Sequence, residues 1–366
     1  MIEGKEFIKR HILDLPPYQP VYPLDVLAGE LGYQTSELVK LDANENPYGP
    51  IPEVLDELAS LDTIHIYPDP ESRRIRSLLA LHHDLQPDSL IIGAGADELI
   101  DLIMRVVLAP GDRLLNCPPT FGMYAFDGSL NQVDLITVPR KSDFSLDIPA
   151  VLQAVKKYQP KMLFLASPNN PDGGLLTRAE FNQLAALPLL LVVDEAYIEF
   201  SHQENSFISQ VANYPNLIVL RTFSKWAGLA GLRIGYGVFP DDMAPVIMKA
   251  KQPYNVSAAA EAAAVVTMRN QARVQSRLAR IVEQRAILFT QLDAISWLKP
   301  YPSQGNFILC RVQEGSASLI KDRLREQGIL IRYFDRPGLS DHIRISIGTE
   351  AQNKKLISAI QGANKT

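Results

Sequence analysis

The chain has 366 residues, of which 46% are hydrophobic and 21% charged, which is ordinary for a globular protein and long enough for two domains. The formal charge is −5, with 36 basic and 41 acidic residues scattered along the sequence, so no basic stripe is present to bind a nucleic acid. Two distant cysteines predict neither a disulfide framework nor a metal site. Without an apolar signal segment or a membrane-length apolar run, we expect a soluble, cytoplasmic protein.

The N-terminal residues 1–45 are predicted to form an irregular arm, because the proline-rich stretch 15–23 suits neither a helix nor a central strand. Its aromatic residues favour a clamp on the small domain and on another subunit, and a loose terminus is the alternative. The stretch 40–50 follows, with Asn44 among several turn formers. A plain Asn-Pro turn is the alternative to a functional segment there.

From residue 46 to residue 256, short apolar strands alternate with helices, and we predict a large domain. Continuous apolar strands between helices are typical of a mostly parallel sheet buried on both faces. The predicted helices lie at 51–61, 71–83, 97–108, 147–157 and 177–186, and the predicted strands at 89–92, 113–116, 133–138, 162–166, 189–193, 217–222 and 233–239.

Residues 257–366 are predicted to form a smaller α+β domain that covers the front of the large one. It opens with a long alanine-rich helical stretch at 257–292. The remaining predicted elements are strands at 306–312, 329–334 and 342–347 and a helix at 316–327.

One lysine, Lys225, follows the apolar strand 217–222 among small residues, between Arg221 and Arg233. A lysine among apolar and small groups loses its proton readily and can act as an amine nucleophile. Arg233 adds a fixed positive charge, which suits a lysine Schiff base beside a phosphate. An ordinary surface lysine in a loop is the alternative.

The acid Asp194 ends the fully apolar strand 189–193, so its carboxylate lies at the rim of a buried sheet. An unpaired charge there would be costly to remove from water, and it therefore needs a partner. A protonated pyridine nitrogen is one such partner, and Tyr197 could then reach the phenolic oxygen of the same ring. A structural salt bridge is the alternative.

A glycine turn at 93–95 joins a strand to a helix that begins near Asp97. The dinucleotide-binding interpretation fails because Glu98 occupies the place of the third glycine. Free backbone N–H groups at a helix N-terminus still suit one small phosphate. The alternative is that Asp97 and Glu98 only balance the helix dipole.

Two further residues follow the ends of strands. Phe121 could stack on a flat ring, although an aromatic residue at such a place is more often part of the core. Asn170 lies between prolines that fix its amide, and a simple turn is the alternative. Because open α/β sheets bind ligands at the carboxyl edge of their strands, these residues with Lys225 and Asp194 predict a pocket for pyridoxal 5′-phosphate.

Short motifs cover nearly the whole chain in a recognisable order: 41–48, 67–70, 95–100, 118–124, 167–171, 194–200, 221–237 and 344–348. With these motifs the chain resembles the fold-type I aminotransferases, and among them most closely the histidinol-phosphate aminotransferase family. The resemblance implies an α/β fold of the pyridoxal-phosphate transferase type, with a mostly parallel seven-stranded sheet in the large domain. It also implies a homodimer with shared active sites.

The resemblance further implies a role for each matching residue. Lys225 would bind the cofactor covalently and move a proton at the substrate's Cα, and Asp194 would keep the pyridine nitrogen protonated. Around the ring and the cofactor phosphate we expect Tyr197, Asn170, Phe121, Ala96, Asp97, Thr222, Ser224 and Arg233, with Tyr67 reaching the phosphate in the other subunit. For the substrate we expect Arg344, Arg332, Asn44 and Tyr18.

The chain departs from the family pattern at Phe121, which is often tyrosine, and at Asp172, which stands where the family has threonine. Neither change threatens the cofactor. The implied reaction moves an amino group between L-histidinol phosphate and 2-oxoglutarate in histidine biosynthesis. An aromatic or other amino-acid aminotransferase and a threonine-phosphate decarboxylase are the alternatives. A cofactor-sensing regulator would need a DNA-binding domain, and the arm is too short and not basic enough for one.

Overall fold

The computed structural model describes residues 3–15 and 22–363, so the predicted substrate residue Tyr18 lies outside the described residues. The helices are α1 (Arg10–Leu13), α2 (Leu24–Leu31), α3 (Pro52–Ala59), α4 (Arg73–His83), α5 (Ala96–Val107), α6 (Met123–Leu130), α7 (Ile148–Tyr158), α8 (Arg178–Ala185), α9 (Ala244–Ala250), α10 (Ala258–Arg269), α11 (Gln271–Asp293), α12 (Ala317–Glu326) and α13 (Glu350–Ala363). The strands are β1 (Val39–Leu41), β2 (Leu90–Gly93), β3 (Arg113–Asn116), β4 (Asp134–Thr137), β5 (Met162–Ala166), β6 (Leu190–Asp194), β7 (Leu217–Thr222), β8 (Gly235–Val238), β9 (Leu298–Pro300), β10 (Phe307–Val312), β11 (Ile329–Tyr333) and β12 (His342–Ser346).

The larger sheet has seven strands in the order β2-β8-β7-β6-β5-β3-β4. Strand β8 runs antiparallel to β2 and β7, and the other neighbours pair in parallel. Every residue of β5, β6 and β7 is buried, as the unbroken apolar runs in the sequence require for a sheet covered on both faces. The predicted mostly parallel seven-stranded sheet is confirmed.

The register of the sheet fixes where the site is built. Asp194 pairs with Ala166 of β5 on one side and with Leu220 of β7 on the other. The carboxyl ends of β5, β6 and β7 therefore lie side by side, and the loops that leave them share one edge. The predicted residues Asn170, Asp194 and Lys225 follow these three ends.

The second sheet has five strands in the order β1-β11-β12-β10-β9. Strand β1 pairs in parallel with β11, and α2 packs on it through a small core cluster that contains Leu27, Leu38 and Leu330. The irregular arm predicted for residues 1–45 is therefore wrong for α2 and β1. Three residues are too few for a strand to be recognised from its alternation, and the pairing partner lies almost 300 positions away.

The helical stretch predicted at 257–292 forms two helices, α10 and α11, which meet at Asn270. The Asn270 side chain donates to the carbonyl oxygen of Val266 at 2.9 Å. Asparagine competes in this way for the backbone groups of a helix and so favours helix ends. Among the described helices, none is long and apolar enough to cross a membrane.

Candidate active site

The carboxyl group of Asp194 lies at the end of β6 with only 5% of the residue exposed. Its Oδ2 accepts a hydrogen bond from the Tyr124 hydroxyl at 2.7 Å, and its Oδ1 accepts one from the backbone N–H of Ala196 at 3.0 Å. Burial raises the pKa of Asp194 to about 6, and the two hydrogen bonds oppose the rise. Within the described residues Asp194 has no cationic partner, so the salt bridge considered from the sequence is not formed.

The salt bridge belongs to the next residue, Glu195, which is fully buried. Its carboxylate pairs with the Arg221 guanidinium at 2.9 Å and accepts from the Ser206 hydroxyl at 2.7 Å and the Phe207 N–H at 2.5 Å. Glu195 is thus neutralised inside the chain, whereas Asp194 is bound only by neutral donors. The pattern fits a carboxylate whose cation comes from a ligand.

The amine of Lys225 lies in the loop that follows β7 and donates to the carbonyl oxygen of Ala43 at 3.1 Å. Burial lowers the pKa of Lys225 to about 8, and the positive charge of Arg344 lowers it further, while Glu45 and Asp97 oppose the change. A pKa near 8 leaves part of the lysine as free amine at neutral pH, which a nucleophile or a base needs.

Hydroxyl groups and helix N–H groups line the space beside this lysine. The Thr222 hydroxyl donates to the Ser224 hydroxyl at 2.9 Å and accepts from the Ser224 backbone N–H at 3.1 Å. Helix α5 begins at Ala96, so the N–H groups of Ala96 and Asp97 have no intrahelical partner and suit an anion.

The Arg233 guanidinium lies beside the start of α5, at the solvent-exposed side of this group of donors. Gly95 has a φ of +87°, and a Cβ there would stand 2.6 Å from an Arg233 guanidinium nitrogen, so only glycine lets the arginine lie against the turn. Arg233 also pairs with the Asp97 carboxylate at 2.9 Å, with both side chains about half exposed. Glu98 instead accepts from the backbone N–H of Ala94 and from Asn255.

The three residues predicted to contact the cofactor ring have the following partners in the structure. Phe121 is half-buried and packs edge-to-face on Tyr124, with ring centroids 5.6 Å apart. The buried Tyr197 hydroxyl accepts from the Asn44 side chain at 3.1 Å. Asn170 offers its side-chain oxygen to Arg344 at 2.6 Å.

Arg344 lies in β12 and brings a positive charge to this edge from the five-stranded sheet. Its guanidinium donates to the Asn170 side chain and, at 2.7 Å, to the carbonyl oxygen of Asp42, while its Nε is buried with no hydrogen-bond partner in the described part of the chain. Burial lowers the pKa of Arg344 to about 10, which still leaves it charged at neutral pH. Arg332 pairs opposite Arg344 in the sheet, and both guanidinium groups lie within 6 Å of the Phe334 ring centre.

The segment 42–46 contacts residues from both sheets at the site, among them Ser346 of β12 and Tyr197 after β6. Asn44 binds Ser346 through its backbone N–H at 2.8 Å and accepts from Asn306 through its carbonyl oxygen at 2.9 Å. Its neighbours Asp42 and Ala43 supply the carbonyl oxygens that hold Arg344 and Lys225. The segment is therefore more than an Asn-Pro turn, because it fixes both cationic side chains.

Tyr67 is not brought to this edge within the chain. It is 80% exposed and packs on Tyr254 with ring centroids 4.7 Å apart, beside the exposed Ile64 and Ile66. Asp172, the departure from the family pattern, is buried in the turn after β5 and accepts from Asn169 and from the Gly174 N–H. It thus supports the turn that carries Asn170.

Tyr124 is the site residue that sequence reasoning missed as a functional group. It lies inside the motif 118–124, and the only available signal was a tyrosine shortly after a strand end. Its partner Asp194 is 70 positions away, beyond the reach of any local pattern.

The residues present fit pyridoxal phosphate. This edge has an amine of lowered pKa, a buried acid without a cation and a half-buried aromatic face. It also has a group of anion-binding donors, here called the cup, which consists of Thr222, Ser224, Arg233 and the N–H groups of Ala96 and Asp97. Within residues 3–15 and 22–363, no group of three or more His, Cys, Asp and Glu side chains could hold a metal ion.

Comparison with known proteins agrees with this geometry. Residues 36–360 match the family model described as aminotransferase class I and II. The chain is 46% identical to the chloroplastic histidinol-phosphate aminotransferase of Nicotiana plumbaginifolia, over 98% of this chain and 87% of that protein. It is 48% identical to the histidinol-phosphate aminotransferase of Roseiflexus castenholzii, over 97% of each.

A solved structure gives the same result. The histidinol-phosphate aminotransferase from Sinorhizobium meliloti, in complex with pyridoxal-5′-phosphate, superposes with a TM-score of 0.90 at 29% identity, over 98% of this chain and 97% of that one. The prediction of a pyridoxal-phosphate-dependent aminotransferase is confirmed. The chain belongs to the class I and II aminotransferase family.

Proposed function

We propose that this enzyme moves an amino group between L-histidinol phosphate and 2-oxoglutarate, giving imidazole acetol phosphate and glutamate in histidine biosynthesis. The observation that carries the proposal is Arg344, a buried cation at the edge whose Nε has no partner among the described residues. Full-length relatives at 46% and 48% identity bear the name of this activity.

Arg344 and Arg332 form the proposed anion site for the substrate. A guanidinium binds both carboxylates and phosphates in a planar arrangement with two hydrogen bonds. The same pair can therefore hold the phosphate of histidinol phosphate in one half-reaction and a carboxylate of glutamate in the other. Asn44 and the arm residue Tyr18 are the proposed further substrate contacts.

When bound, pyridoxal phosphate supplies an electron sink that stabilises negative charge at the substrate's Cα. Lys225 is the proposed covalent anchor and the base that takes a proton from that carbon and returns one. Its pKa of about 8 suits both tasks, because the amine gains and loses a proton easily near neutral pH. Asp194 is proposed to keep a positive charge on the ring nitrogen, and Tyr197 and Asn170 to hold the phenolic oxygen.

The proposed phosphate site of the cofactor consists of the residues that form the cup. Thr222 and Ser224 provide hydroxyl groups, and Arg233 provides charge. Ala96 and Asp97 provide N–H groups at the start of α5. Phe121 is proposed to cover one face of the ring.

We also propose that the active enzyme is a homodimer in which Tyr67 of one subunit reaches the cofactor phosphate of the other. The exposure of Tyr67 with Ile64 and Ile66 supports this, because neighbouring apolar side chains seldom face water without a partner. The domain bounds 1–45, 46–256 and 257–366 and a cytoplasmic location are further parts of the proposal. The two cysteines, free and buried, are compatible with a reducing compartment.

A substrate panel tests the proposal. Purified enzyme with bound cofactor is given L-histidinol phosphate, phenylalanine or glutamate with suitable keto acids, and O-phospho-L-threonine with detection of carbon dioxide. We expect the highest kcat/KM for histidinol phosphate with 2-oxoglutarate, by ping-pong kinetics. Faster transamination of phenylalanine, or release of carbon dioxide from phosphothreonine, would replace the proposed substrate.

A further inference from the structure

The Tyr124 side chain is held rigidly beside Asp194. Tyr124 is fully buried in α6, and its hydroxyl lies 2.7 Å from Asp194 Oδ2. Its ring stacks on Phe164 of β5, with centroids 5.0 Å apart and planes 20° apart, and meets Phe121 edge-to-face. These two ring contacts fix the orientation of the Tyr124 side chain, so that its hydroxyl points toward the Asp194 carboxylate.

The hydroxyl can act only as a donor to this acid. Burial and the neighbouring Asp194 raise the pKa of Tyr124 well above its ordinary value, so the phenol keeps its proton. The other donor to Asp194 is the Ala196 N–H, from the turn after β6. Asp97 of α5 and Glu195 both disfavour the ionised form of Asp194. The buried Tyr197 also interacts with the Asp194 charge, which raises the pKa of the Tyr197 hydroxyl.

We propose that Tyr124 is a positioning residue that keeps the Asp194 carboxylate ionised and oriented toward the cofactor's ring nitrogen. It thereby sets how strongly the enzyme stabilises a positive charge on that nitrogen. A donor to a carboxylate favours its charged form. Without the hydroxyl, Asp194 would keep one neutral donor in a buried site with two other acids nearby. The inference rests on the proposed role of Asp194, but not on which substrate the enzyme uses.

The arrangement also links two parts of the site. Phe121 and Tyr124 are three positions apart, and their rings touch at the start of α6. Phe121, which is proposed to cover the cofactor ring, and Tyr124, which donates to Asp194, are thus packed together as one rigid unit. A change in the Tyr124 ring would move both.

The test uses Tyr124→Phe, which removes one oxygen and keeps the ring in its stack. The carboxyl band of Asp194 is followed by infrared titration of the cofactor-free protein, with Asp194→Asn as the reference spectrum. Because a hydrogen bond to a charged group is lost, we expect the pKa of Asp194 to rise by about one to two units. Tyr236→Phe is the matched control, since Tyr236 is similarly buried and its hydroxyl bonds His83 at 2.9 Å and Arg221, but not Asp194.

A second measurement is the dissociation constant of pyridoxal 5′-phosphate. We expect it to rise about tenfold or more in Tyr124→Phe, because a protonated Asp194 no longer attracts a cationic ring nitrogen. Phe164→Leu loosens the packing of the Tyr124 ring without removing the Tyr124 hydroxyl. A smaller rise in the Asp194 pKa and in the dissociation constant would support the proposal, and this variant replaces Tyr124→Phe if that protein does not fold. An unchanged Asp194 titration in Tyr124→Phe, or an equal shift in Tyr236→Phe, would overturn it.

Discussion

Two buried carboxyl groups follow one another at the end of β6, and their surroundings are opposite. Glu195 meets the Arg221 guanidinium at 2.9 Å and is neutralised within the chain. Asp194 meets the Tyr124 hydroxyl and a backbone N–H, and no cation in the described residues pairs with it. Asp194 is the last residue of β6 and Glu195 is the first residue after it, so two different environments meet at this strand end.

The difference separates a structural acid from a functional one. A buried ion pair that is complete inside the chain links β6 to β7 and needs nothing more. A buried carboxylate with neutral donors alone has a pKa raised to about 6 by burial and gains most from an incoming positive charge. Burial alone does not distinguish them, since both acids are almost fully covered. Their partners do.

The largest expected effect comes from removing the charge of the functional acid. Asp194→Asn keeps the size of the side chain but cannot stabilise a protonated ring nitrogen. We expect kcat for amino transfer to fall on the order of 10²- to 10³-fold, as when a group that stabilises transition-state charge is lost. Single-turnover rates at saturating cofactor measure the effect, and a fall of less than tenfold would contradict the assignment.

The substrate arginine gives the next effect. Arg344→Met removes a cation and its hydrogen bonds from the proposed anion site, and we expect kcat/KM to fall about 10- to 100-fold for histidinol phosphate and for glutamate alike. Arg311→Met is the control, because Arg311 of the neighbouring strand β10 forms an exposed pair with Asp341. Similar losses in the two variants would remove Arg344 from substrate binding.

The structural acid should reveal itself in stability. Glu195→Gln leaves the Arg221 charge buried without its main partner, and we expect a loss of about 3–5 kcal/mol in the free energy of unfolding. Glu199→Gln should cost less, because Glu199 lies 3.5 Å from Arg221 and burial raises its pKa to about 7. Urea unfolding of the cofactor-free proteins compares them, and equal losses would show that Glu195 is not the main partner.

The smallest effect is a pH dependence of the cofactor-free protein. The folded pKa of Asp194, about 6, lies above its ordinary value of 3.8, so the folded state binds the proton more tightly than the unfolded state. Relative to Asp194→Asn, the wild-type protein should therefore lose about 2–3 kcal/mol of stability as the pH rises from about 4 to about 6. Unfolding free energies across this range test the sign, and a gain in stability would contradict it.

Much of the seven-stranded sheet could be predicted because its strands are continuous apolar runs between helices. The bounds predicted for β3, β5 and β7 agree with the structure. Helix α6 was missed because prolines and glycines before and within it suggest a turn. Short β1 was missed because its pairing with β11 is a long-range contact.

At the site, the sequence singled out Asp194 because a charge at the end of an apolar strand is unusual. It could not decide whether the acid had a structural partner, since that depends on which side chains the fold brings to it. Arg221 pairs with Glu195, and Tyr124, which donates to Asp194, lies 70 positions before it in the sequence. The holding of Lys225 and Arg344 by the carbonyl oxygens of segment 42–46 is likewise a long-range backbone contact that residue type does not signal.

The most direct test of the account is the protonation of the cofactor's ring nitrogen. Pyridoxal 5′-phosphate labelled with nitrogen-15 in the ring is bound to the wild-type protein, to Asp194→Asn and to Glu199→Gln, and the nitrogen resonance is recorded at pH 8. We predict a protonated nitrogen in the wild-type protein and in Glu199→Gln, and an unprotonated one in Asp194→Asn. A nitrogen that is unprotonated in the wild-type protein, or protonated in all three, would contradict the assignment of Asp194 as the acid that serves the cofactor.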